Sequence, residues 1–177
     1  MSSGLPDYTA EEVWPQPDGL DVVEFDVPGG MGTVAFQAII RPSGRKPWIG
    51  SFWTEDYEGA LTFLETWDAG PMVLACAGGN PHFFRADDPD FRLDLPTYPV
   101  VHRLRRKDLV ILGDFTTLTA VDGYGLVWES PHLASDEIAD LEVRRDVVEG
   151  KGNDASTGGW TRFVLSLETG ELLSRSS

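Results

Sequence analysis

The chain has 177 residues, 41% of them apolar, with six Trp, nine Phe and four Tyr, which suffices for one hydrophobic core and is short for two. Twenty-nine acidic against fourteen basic side chains give a net charge of −15. That charge excludes nucleic-acid phosphates and anionic membrane surfaces as partners, since both are bound by clustered Lys and Arg, and leaves basic proteins as the expected macromolecular partner.

In chain order, residues 1–19 carry Pro6, Pro15, Pro17 and Gly19 with little periodicity and read as an extended arm, with Trp14 as its anchor. The arm has neither the cationic start nor the apolar run of a signal peptide, and nothing downstream approaches the roughly 20 apolar residues of a membrane span. A cytoplasmic protein in a reducing compartment is expected. The first forty residues hold seven acids and no Lys or Arg, so part of the acidity is concentrated. From residue 20 onward a single β-rich domain, 20–177, is expected.

"LDVVEFDV" and "TVAFQAII" flank the turn-rich "PGGMG" and predict a hairpin. The Lys and Ser or Thr of a phosphate-binding loop are absent there. "TEDYEGALTFLETWDAG" predicts a turn at Glu58 and Gly59 followed by a strand, with a short helix capped by Thr54 as the alternative. "MVLACA", "GGN" and "PHFFRAD" read as strand, turn and strand, which makes Cys76 a buried core thiol. As the sole cysteine it rules out intramolecular disulfides and multi-cysteine zinc sites. "DDPDFRLDLPTYP" reads as a polar, Pro-broken connection. The cations of "HRLRRK" suit a strand edge protected against aggregation.

"DLVIL" is a short buried run. "LTAVDGYGLVWES" folds back around Asp122 to Gly125. In "IADLEVR", Ala139, Leu141 and Val143 alternate with Asp140, Glu142 and Arg144, so one face is wet. "TRFVLSLETGELL" repeats the device, with Phe163, Leu165 and Leu167 on one face and Arg162 and Ser166 turned away. The fold class is therefore mainly β, a single domain of antiparallel hairpins with little helix, arranged as a sandwich, a partial barrel or a small propeller-like body. Gly79, Gly125 and Gly170 recur at 46 and 45 residues, a spacing that suits four-stranded blades.

Ala120, Asp122, Gly125 and Trp128 of "LTAVDGYGLVWES" resemble the repeat of quinoprotein-type β-propellers, and "LSLETGELL" is a weaker echo. The resemblance implies blade-like strand geometry and no quinone binding. Residues 109–173 more broadly resemble the C-terminal part of uncharacterised bacterial β-rich proteins, which bring no activity with them.

No catalytic or cofactor motif is present, and neither cofactor nor metal is expected. His82, His102 and His132 lack ligand spacing. Asp87, Asp88, Asp90 and Asp94 lack the central Gly and terminal Glu of a calcium loop. The leading functional reading is a non-enzymatic acidic protein that binds another protein, a basic one such as a toxin it neutralises being an example. The second is a small-molecule or carbohydrate binder, with or without hydrolytic activity, that uses Trp128 or Trp160 as a platform and Asp136 or Asp154 as polar anchors. Trp128, His132, Asp136, Asn153, Asp154 and Trp160 are the candidate binding residues.

Overall fold

The computed structural model describes residues 8–26, 32–55 and 57–176. They form sixteen strands and, among the described residues, no helix. The strands make four four-stranded sheets in the order in which they occur along the chain.

The second sheet is an up-and-down meander of β5 (Phe63–Glu65), β6 (Met72–Ala77), β7 (Asn80–Arg85) and β8 (Asp88–Leu93). The third comprises β9 (His102–Arg106), β10 (Leu109–Gly113), β11 (Leu118–Asp122) and β12 (Gly125–Glu129). The fourth comprises β13 (Ile138–Arg144), β14 (Val147–Asp154), β15 (Gly159–Ser166) and β16 (Leu172–Ser176). Each neighbouring pair in these three sheets is antiparallel. The mainly β architecture of antiparallel hairpins expected from the sequence is thus the one observed, and consecutive meanders packed face to face are blade-like.

The first sheet differs. Its order is β1 (Tyr8–Val13), β3 (Thr33–Pro42), β4 (Trp48–Thr54), β2 (Asp21–Phe25). The expected hairpin of "LDVVEFDV" with "TVAFQAII" is not formed: β3 turns back on β4, and β2 lies parallel to the far edge of β4. Most of the "PGGMG" turn falls outside the described residues. Because β1 and β2 occupy opposite edges, residues 14–20 must cross one face of the sheet. Gln37 Nε2 donates to Gln16 Oε1 at 3.3 Å, which puts the crossing on the face that carries Gln37, Ile39, Ile49 and Ser51, all buried. Trp14 does not anchor this segment, being 82% exposed. Tyr8 does: its buried hydroxyl donates to the Met72 carbonyl and accepts from Trp67 N–H.

Four sheets give three interfaces. Phe25, Trp48, Phe52 and Phe84 fill the first, between sheets one and two. Trp67, Leu74, Phe83, Leu112 and Val121 fill the second. Ile111, Leu118, Trp128, Phe163 and Leu165 fill the third. Among the described residues no core cluster joins the fourth sheet to the first. The outer face of the fourth sheet is finished with charge: Lys151 lies 2.7 Å from Asp140, and Arg144 lies 2.8 Å from Glu142.

The turn of "LTAVDGYGLVWES" also joins sheets. Gly123 accepts a hydrogen bond from Met72 N–H at 3.1 Å, and a Cβ at Gly123 would overlap the Ala69 carbonyl oxygen. The fit demands glycine. Asp122 Oδ1 closes the turn by accepting from the N–H groups of Tyr124 and Gly125.

Gly125 and Gly170 occupy equivalent hairpins, between third and fourth strands, whereas Gly79 closes a hairpin between second and third strands. The 45- and 46-residue spacing therefore mixes two kinds of turn. "DDPDFRLDLPTYP" is not wholly a connection either, since Asp88–Leu93 is the edge strand β8. Pro is tolerated at an edge because no ladder donor is needed there.

Candidate functional site

The six residues singled out in the sequence do not form one cleft. Trp128 is buried at the third interface, where Nε1 donates to the Leu167 carbonyl at 2.9 Å. Its ring lies 2.6 Å from where a Cβ on Gly170 would stand, so it packs against that turn's backbone and offers no platform to a ligand. His132 and Asp136 are exposed in the connection to the fourth sheet. Asn153 and Trp160 face each other across β14 and β15. Backbone bonds from Ser135 N–H to the Asn153 carbonyl (2.8 Å) and from Asn153 N–H to the Glu137 carbonyl (2.9 Å) bring Asp136 beside them. Asp154 is occupied in its own turn. Ser156 donates to it through hydroxyl and backbone, at 2.7 and 2.9 Å, and these bonds hold its carboxyl below the usual range.

The candidate ligands fare similarly. Among the described residues no group of three or more His, Cys, Asp or Glu is placed to hold a metal ion. In "DDPDFRLD", Asp87 forms a two-pronged pair with Arg85 at 2.9 and 3.0 Å. In "HRLRRK", β9 is indeed a sheet edge, but Arg103 and Arg105 also clamp the buried carboxylate of Glu65 on the second sheet, Arg103 Nε at 3.0 Å. Cys76 is wholly buried, and burial pushes its thiol up to about 12. It is no nucleophile at neutral pH.

Two surfaces remain. The first is the acidic edge of the first sheet. Trp14 stands beside a cleft of about 300 Å³ lined by Glu12, Val13, Ala35, Phe36 and Gln37. Glu11 is paired with Arg41 at 2.6 Å and Asp21 with Lys46 at 2.9 Å. Glu12 and Asp18 are exposed and form no ion pair among the described residues, whereas Asp26 follows β2 at the opposite edge and lines another cleft. A sequence rich in acid before residue 40 signalled the charge but not the exposure of Trp14.

The second is a cleft of about 510 Å³ where β7 and β8 meet the first sheet, lined by Asp26, Asn80, His82, Arg92, Asp94 and Tyr98 among others. Asn80 and His82 are two apart on β7 and share a face. The guanidinium of Arg92 sits 4.2 Å from the Phe25 ring centroid, and Nε and Nη2 donate to the Pro89 and Glu24 carbonyls at 3.1 and 3.4 Å. Asn80 Nδ2 and His82 Nε2 are buried without hydrogen-bond partners.

Burial, aided by the nearby Arg92 charge, pushes the His82 imidazole down from 6.5 to about 4. A histidine whose folded value lies below its unfolded one binds fewer protons when folded, so the contribution of His82 to stability is fully present above about pH 6.5 and is lost as pH falls towards 4. The loss through this group should reach roughly 3 kcal/mol. Urea denaturation of His82→Gln should therefore show a flatter decline between about pH 7 and pH 4.5, with a residual slope from His102, which burial also lowers. An unchanged slope would show that His82 is not the group responsible.

No family model matches the chain, and no curated protein matches it. Among solved structures, the crystal structure of HIRA(644-1017) is similar at 12% identity over 92% of this chain and 51% of that one, with a TM-score of 0.35. The chain thus spans about half the length of that structure, and a likeness of this size carries no argument about activity.

Proposed function

We propose that this protein is a non-enzymatic interaction module of the bacterial cytoplasm that binds a basic partner protein through its first sheet, a cationic toxin being one partner of the required chemistry. The observation that carries the reading is the juxtaposition of an 82% exposed Trp14 with Glu12 on one cleft, in a chain of net charge −15. Exposed Trp is over-represented among residues that dominate binding energy. The unpaired carboxylate of Glu12 beside it attracts Lys and Arg, and Trp is the best ring for a cation to rest on.

The test uses nona-arginine as probe, titrated at low salt and followed by Trp fluorescence, with Trp14→Phe and Trp14→Ala compared. Truncation to Ala should weaken binding roughly five- to thirtyfold, or 1–2 kcal/mol, with Phe intermediate. Trp14 is so exposed that thermal stability should not move. Equal affinity of wild type and Trp14→Ala would sink the reading.

A further inference from the structure

The cleft around Asn80 and His82 is separate from the Trp14 surface and is built differently. A buried polar group without a partner costs about 1–3 kcal/mol. Here Asn80 Nδ2 and His82 Nε2 carry that cost side by side on one strand, at the wall of a cleft whose volume suits a small ligand. Its other polar groups are one cation, Arg92, held by two backbone carbonyls rather than by a carboxylate, and two anions, Asp26 and Asp94. Tyr98, 48% exposed, supplies a ring at the mouth.

The donor and acceptor inventory discriminates among ligand classes. An organic anion would satisfy Asn80 and Arg92 but would face Asp26 and Asp94. A polyamine would satisfy the carboxylates, yet it has only donors and would leave Asn80 Nδ2 orphaned. A hydroxyl both donates and accepts, so a ligand carrying several of them meets both sets at once. The apolar face of a sugar ring also fits against an aromatic side chain.

We propose that this cleft binds a neutral saccharide of one or two rings, with Asn80 and Arg92 donating to its oxygens, Asp26 and Asp94 accepting from its hydroxyls, and Tyr98 against its ring. The site is independent of the basic-partner surface.

Ligand-observed NMR on the full chain would test it, with glucose, galactose, mannose, N-acetylglucosamine, maltose and cellobiose as neutral probes, and glucuronate and spermidine as charged ones. At least one neutral sugar should bind with a Kd of about 1 mM or tighter. Asn80→Ala and Tyr98→Ala should each weaken it at least about tenfold, while Trp14→Ala leaves it unchanged. Tyr98 is exposed, so its variant reports on binding even if Asn80→Ala unfolds. No neutral sugar bound at about 10 mM, preference for glucuronate or spermidine, or binding indifferent to Tyr98→Ala and Asn80→Ala would overturn the proposal; the first outcome would leave the cleft as a site for ordered water only.

Discussion

Replacing Leu165 by Ala should destabilise the protein by about 4 kcal/mol, in the upper part of the 2–5 range for an enclosed leucine. Leu165 has no exposed surface, lies opposite Val148 on β14, and belongs to the cluster that joins the third and fourth sheets through Ile111, Leu118, Trp128 and Phe163. The regular ladder with β14 fixes its backbone on one side, and β16 flanks it on the other across a register shift between Val164 and Leu165, so the site has little freedom to collapse. Urea denaturation checks this: the midpoint should fall with its slope unchanged. A loss below about 0.5 kcal/mol would place Leu165 at the surface and contradict the strand's facing.

Phe84→Ala should cost a similar amount, about 3–5 kcal/mol, at the first interface. Its ring is fully buried and lies 4.6 Å from Phe25, 5.7 Å from Trp48 and 5.9 Å from Phe52, centroid to centroid. Aromatic pairs of this kind add to area burial, so a truncated ring loses both. Trp48 is further tied by its Nε1 bond to the Ala86 carbonyl, 2.9 Å, which keeps it from sliding into the void. Since Phe84 and Leu165 belong to different clusters, their two losses should add to within about 0.5 kcal/mol. Strong coupling between them would argue against three separate interfaces.

These two residues also mark what was legible in the sequence. Phe163, Leu165 and Leu167 alternate with polar neighbours beside a Gly turn, so strand, facing and hairpin could be read from local pattern alone. The same holds for "LTAVDGYGLVWES", whose turn residues and alternation are all within thirteen positions. Pairing across the first sheet was not legible in this way. Which edge β2 takes is settled by burial of Phe25 against Phe52 and Phe84, residues far apart in the chain. Strand β8 was hidden because an edge strand carries the Asp and Pro that elsewhere signal a loop. Tyr8 takes the anchoring role expected of Trp14, since size says nothing of which aromatic side chain meets the neighbouring sheet.

The candidate site was less legible still. Trp128 is recognisable as a core residue from its strand, yet Asn153, Asp154 and Trp160 are neighbours only through the register of β14 with β15. The Asn80 and His82 cleft draws Asp26, Arg92 and Tyr98 from separate elements. Asn80 Nδ2 and His82 Nε2 share with Asn153 Oδ1 and Gln37 Oε1 an unmet hydrogen bond, a property of tertiary burial that no residue pattern encodes.

The central claim is that the acidic first sheet, with Trp14 at its cleft, binds a basic protein. An aromatic photo-crosslinking amino acid, which keeps a ring where Trp14 stands, placed at position 14 in the host cell, with adducts identified by mass spectrometry and position 144 on the fourth sheet as control, measures it most directly. The expected result is an adduct with a basic protein, formed at position 14 and not at 144, and not formed when lysate is irradiated at about 0.5 M salt, where charge attraction is screened within a few ångströms. No adduct at position 14, or the same adducts at both positions, would contradict it.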